Sequence, residues 1–331
     1  MKKYRLRISV KTNSNVIFFE TLLSLLNSKD TDFHPLGNKI VTHFSDIQNL
    51  ESFKEFKNKY EQGKITRHAY QYLFLSINLY SNLKPKELSP SDGFGPNRYK
   101  GYMEDIYPLV KQIYSESDFT NRYKTEILSE YKEIAKDMQS LFDRQNPSDV
   151  LIDFWGKSFE PKLIFIPDPL RIGGGSGLSR GNTFYSVTGT VNRKEKVIFD
   201  NSHMISNLLH EFSHSFFHKY LYSNREHVEI NNQLTESLYK NLDETLKGEI
   251  GKQYGPPLVY FEETFIRAVQ ILLTKEFFSK YMPEEENSSK SLKQLKKRKE
   301  DGFIYIEEFY NELNNNNSPI LSYIKVLKSL S

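Results

Sequence analysis

Five consecutive residues, His210-Glu211-Phe212-Ser213-His214, carry the pattern H-E-x-x-H inside the apolar run Met204 to Leu221. If that run is a helix, positions four apart stack one turn above another, so His210 and His214 can hold one metal ion together. Glu211 then projects beside the ion, where its carboxylate can take a proton from a polarised water. Residues of these types at this spacing permit metal-assisted hydrolysis with Glu211 as general base. A helix carrying two histidines by coincidence is the plain alternative. With only eight His in 331 residues, the pattern argues against it.

Two histidines do not complete a catalytic zinc site, which takes three protein ligands and keeps a fourth position open. The chain has no Cys, so disulfides, thiolate ligands and a cysteine nucleophile are all excluded. A third His six residues after the second, behind a glycine, is excluded too, because Tyr220 and Phe217 occupy those positions. The other common solution is a distant Glu on a second helix, and Tyr260 to Val269 offers Glu262 and Glu263. At about 100° per residue, Phe261, Phe265, Ala268, Val269 and Leu272 share one apolar face. Glu263 then points toward a cleft, with Arg267 one turn behind it. Glu262 falls on the flank of the apolar face, where it would contribute to stability at most. Tyr254 and Tyr260 precede Glu263, and Tyr254 is the candidate phenol for donating to the oxyanion of a tetrahedral intermediate. His203 and His218 flank the motif and read as satisfied histidines, with a supporting role as the sharper possibility.

The H-E-F-S-H motif followed about fifty residues later by E-x-F-x-x-A (Glu263, Phe265, Ala268) resembles the gluzincins, zinc metallopeptidases with two His and one Glu on the metal. The similarity is greatest to the lethal-factor-like branch. A helical region, an I-P-D-P strand end and a glycine-rich turn before the motif also resemble a bacterial gluzincin family known only as a domain of unknown function. The resemblance implies a zincin-like α+β fold with one Zn2+ per chain on His210, His214 and Glu263, acting on a peptide or protein substrate. One departure stands out. Thermolysin-like members carry an Asp four residues after the ligand Glu to orient a zinc histidine, and here that residue is Arg267. A cation cannot accept from an imidazole N–H, so another group must do this. Arg267 has three readings: a pair with Glu263, a site for a substrate carboxylate, or a surface salt bridge. Its presence also motivates a second reading, a zinc-stabilised binding or scaffold protein without turnover.

The elements that must position these residues follow from periodicity. Residues 1–145 read as a mostly helical region, with helices near Val16–Asn27, Ile47–Gln62, Thr66–Ser81, Tyr99–Tyr114 and Phe119–Phe142, preceded by a strand over Arg5–Val10. The Pro- and Gly-containing stretch Lys84 to Asn97 reads as a loop. Residues 146–331 read as the metallopeptidase region. A short strand, Leu163–Ile166, is expected to end at Pro167 and Pro169. A glycine-rich turn over Gly173–Gly181 and strands at Thr183–Thr188 and Lys196–Phe199 come next. Thr183–Thr188 is a candidate edge for holding an extended peptide. Asn201 or Ser202 is the expected cap of the motif helix. Further helices are expected near Asn231–Thr245, Leu258–Tyr281, Tyr305–Leu313 and Ile320–Leu330.

The bulk numbers narrow the class further. A net charge of +3 gives no reason to invoke nucleic acid, and the basic run Lys290–Lys299 lacks aromatics for base stacking. It reads as a solvated loop or helix surface. Val16 to Leu26 contains Glu20 and is too short to span a bilayer, and the N-terminus lacks a cleavable leader pattern. A cytoplasmic protein without membrane partners is expected. The 24 Phe and 21 Tyr against one Trp predict a core built largely from rings.

Overall fold

The computed structural model describes residues 6–26, 33–62, 100–156, 160–193, 196–244, 246–248, 257–316 and 318–331. The chain is mixed α+β, predominantly helical with a small mixed sheet. It groups into two units, one of residues 7–146 and 161–211, the other of residues 1–6, 147–160 and 212–331.

The first unit holds the sheet. Its strands are β1 (Ile8–Val10), β2 (Lys162–Ile172), β3 (Gly175–Arg180), β4 (Thr183–Arg193) and β5 (Lys196–Ile198). The order is β1-β2-β4-β3, with β5 also on β4. The β1–β2 and β2–β4 pairs are parallel, whereas β3 and β5 run antiparallel to β4. β2 does not stop at its prolines as expected. It continues to Ile172 through a register shift between Pro167 and Ile172, an irregularity at which Pro can dispense with a ladder N–H. The glycine-rich segment expected to be a turn instead contributes β3.

Helices Ser14–Leu26, Pro35–His43, Glu51–Glu61, Lys100–Glu116 and Leu128–Gln145 belong to the same unit. The expected helix over Ile47–Gln62 is divided, with a 3-10 turn at Ser45–Asn49 before Glu51–Glu61. The expected helix Thr66–Ser81 and the loop 84–97 lie outside the described residues. Rings fill the core, with Phe119 packed on Phe18 at 4.9 Å and on Phe44 at 4.7 Å. Gln139 braces the first strand, accepting from the Val10 N–H and donating to the Ile8 carbonyl.

The second unit is helical: Ser148–Trp155, Arg225–Lys240, Pro257–Phe278, Glu284–Glu300, Ile306–Asn315 and Pro319–Leu330. The basic run read as a solvated surface lies on Glu284–Glu300, whose acidic first turn and basic last turn both match the helix dipole. Trp155 stacks on Phe216 and Tyr220 and meets Phe265 edge-on. Its indole N–H donates to the Ser213 hydroxyl, and the Tyr220 hydroxyl donates to its carbonyl. Phe217, Phe265 and Tyr323 meet in a further ring cluster. These contacts fix the C-terminal half of the motif helix against Pro257–Phe278.

The motif helix is Asn201–Tyr222, and the division between units falls within it, between Glu211 and Phe212. Its cap is Asp200, whose carboxylate accepts from the His203 N–H at 2.9 Å. Asn201 and Ser202, the expected caps, already lie in the first turn. Among the described residues no helix is long and apolar enough to cross a membrane.

Candidate metal centre

On the motif helix, ligand-capable atoms of His210, Glu211 and His214 all lie within 4.8 Å of one another. His210 and Glu211 are buried, at 7% and 6% exposure, so the motif is not a solvated surface feature. Glu211 packs against β3 of its own unit at a distance that only glycine permits. A Cβ at Gly177 would meet the Glu211 carbonyl oxygen at 2.3 Å, and one at Gly175 would meet Glu211 Oε1 at 2.7 Å. The reason for glycine here is therefore close approach to the motif helix. Asn207, one turn before His210, donates to the Gly174 carbonyl and strengthens the same seam.

The second unit supplies the partners of His214. The helix Pro257–Phe278 presents both glutamates of the Glu262-Glu263 pair to this one imidazole. His214 Nε2 lies 3.1 Å from Glu263 Oε2, and His214 Nδ1 lies 2.8 Å from Glu262 Oε1. Glu263 turns its other oxygen to Arg267, 2.5 Å from the guanidinium, which also lies over the Phe303 ring at 4.6 Å. Arg267 therefore adopts the pairing with Glu263. Its side chain is 19% exposed, and the ion pair is not a surface bridge. Glu262 is not the passive flank residue expected. It is 8% exposed and touches two imidazoles, since His218 Nε2 also reaches its Oε1 at 2.7 Å.

The electrostatics follow from this crowding. Burial alone would push the His214 imidazole down, but hydrogen bonds and charge from Glu262 and Glu263 lift it to about 10. For Glu262, burial would raise the carboxyl, yet the His218 charge and hydrogen bonds from both histidines hold it at about 2. His203 stands apart from this group, its ring nitrogen 2.8 Å from Asn207 and its pKa lowered mainly by burial. Tyr254 lies outside the described residues. Tyr260 is fully engaged elsewhere, donating to the Gly302 carbonyl and accepting from the Ile304 N–H. Thr183–Thr188 does not offer an edge for a peptide, because it pairs with β2 on one side and β3 on the other.

The approach of His214 to Glu263 fits a shared zinc. Two ligands at about 2.05 Å from a tetrahedral ion stand roughly 3.3 Å apart, close to the separation of His214 Nε2 and Glu263 Oε2. Imidazole and carboxylate are the donors zinc takes when thiolates are absent. Comparison with protein-family models, with curated protein sequences and with solved structures found no match for this chain.

Proposed function

We propose that this chain is a zinc-dependent peptidase of the gluzincin type, with a zincin-like fold, in which His210, His214 and Glu263 hold one Zn2+. The observation that carries the reading is the approach of Glu263 Oε2 to His214 Nε2, the H-E-x-x-H nitrogen turned away from Glu262. Zinc held by these groups supplies Lewis acidity toward a peptide carbonyl and toward water. Glu211 acts as general base, removing the proton of the attacking water and passing it to the leaving amine. Its burial against Gly175 and Gly177 holds the carboxylate in one place and excludes bulk water from its flank. Arg267 fixes the far oxygen of Glu263, leaving the near one for the metal. The scaffold reading rested on the lack of an acid at position 267. Glu262 already occupies His214 Nδ1, so that lack no longer argues against turnover.

A digest of a peptide library, read by mass spectrometry, tests the activity. The zinc-loaded chain is expected to cleave, a chelator to stop it, and added zinc to restore it. Absence of cleavage by a fully zinc-loaded chain would overturn the peptidase reading.

A further inference from the structure

The two nitrogens of His214 face different carboxylates. Nε2 is turned to Glu263 at 3.1 Å and Nδ1 to Glu262 at 2.8 Å. If Nε2 donates its lone pair to a metal, Nδ1 must carry the ring proton, and that proton needs an acceptor in a site from which water is largely excluded. Glu262 Oε1 is that acceptor. The same oxygen takes a second contact from His218 Nε2 at 2.7 Å. His218 is buried, four residues after His214 on the same helix, and its ring packs beside Phe217 and Tyr222. A carboxylate gripped by two imidazoles one helical turn apart cannot swing away from either without losing a hydrogen bond in a desolvated place.

We infer that Glu262 and His218 form a positioning pair that sets the tautomer and ring orientation of His214, in the place that Arg267 cannot fill. This inference rests on the metal centre proposed above and adds two residues to it, neither of them a ligand. The acceptor stands immediately before Glu263 on its helix, so one short segment delivers both the ligand and the group that orients its neighbour. A group bound to a ligand histidine in this way typically affects metal affinity by about 10- to 100-fold. His214, His218 and Glu262 are also close enough to hold an ion by themselves. A second ion there would have to displace the Nδ1 proton and leave one imidazole bridging two cations, so a single metal with a hydrogen-bonded partner is the arrangement we favour.

The test uses the full chain, with zinc affinity from chelator competition and the absorption spectrum of the cobalt-substituted protein as readouts. Glu262→Gln keeps the shape of the side chain but not its charge. It is expected to weaken zinc binding about 10- to 100-fold and to change the cobalt spectrum. His218→Leu, which leaves Glu262 untouched, is expected to lose about tenfold by the same route, and His218→Gln, whose amide can still donate, to recover most of it. Melting curves in chelator identify any variant that fails to fold, and either position alone suffices for the test. If Glu262→Gln and His218→Leu bind zinc as the parent does, with the same cobalt spectrum, while His210→Ala and His214→Ala lose it, the positioning pair is wrong and the metal centre stands. If His210→Ala and His214→Ala also keep the parent's affinity, the metal centre itself fails and the inference with it. Two zinc per parent chain, the second lost in His218→Leu, would overturn the pair in favour of a second metal site.

Discussion

Glu211 and Glu263 stand in different relations to the proposed ion, and single substitutions separate them. In the proposed site Glu211 is the base and not a ligand, so Glu211→Gln is expected to retain the parent's zinc while hydrolysis falls by a factor of about 100 to 10,000. Turnover near the parent's level in that variant, on a peptide the parent cleaves, would mean the base lies elsewhere. Glu263 faces His214 Nε2 directly, so Glu263→Ala is expected to weaken zinc binding by about tenfold or more, measured against a chromophoric chelator. His214 gives a pH signature as well. The two carboxylates raise its pKa to about 10, above the ordinary imidazole value, so it carries a proton near pH 7 before zinc arrives. Zinc uptake there is expected to release about one proton, and apparent affinity to rise with pH up to that value. Calorimetry in buffers of different ionisation enthalpy counts the proton, and a heat independent of buffer would contradict the assignment.

At the scale of elements, the motif helix and the glycine strand β3 are held together at van der Waals limits. An added methyl at Gly177 would collide with the backbone oxygen of Glu211, which cannot rotate away as a side chain can. Gly177→Ala is therefore expected to push β3 off the helix, cost about 1–3 kcal/mol by overpacking, and reduce hydrolysis through displacement of Glu211. Denaturant unfolding measures the first effect, and a variant as stable as the parent would show that the seam yields cheaply. This strand was hidden in the sequence because glycines carry no side-chain alternation, so Gly173–Gly181 looked like a turn. The motif helix was legible, since its apolar run and its chemistry point the same way. The ligand helix was legible only in part. A single apolar face through Phe261 and Phe265 placed Glu263 toward a cleft, but the helix is buried nearly all round, with Glu262, Ile266 and Gln270 on another covered side. Glu262 is polar yet buried because His214 and His218 satisfy it, a pairing between helices that no local periodicity records.

Across the whole molecule, the fold class was readable while its assembly was not. Helical periodicity and short β-branched runs gave a helix-rich α+β chain, and the abundance of Phe and Tyr foreshadowed cores built of rings around Phe119 and Trp155. Strand order was out of reach, because parallel pairing of β1 with β2 joins residues more than 150 positions apart. The grouping of the sheet with the N-terminal helices depends on the same long-range pairings. The buried ion pair of Arg171 with Glu20, supported by Asp168, is a further link of this kind between distant segments. Elemental analysis of the purified chain tests the zinc ion proposed on His210, His214 and Glu263. About one zinc per chain is expected, released by acid as the histidines protonate. Less than about a tenth of an equivalent, after zinc has been supplied and loosely held metal removed, would contradict it.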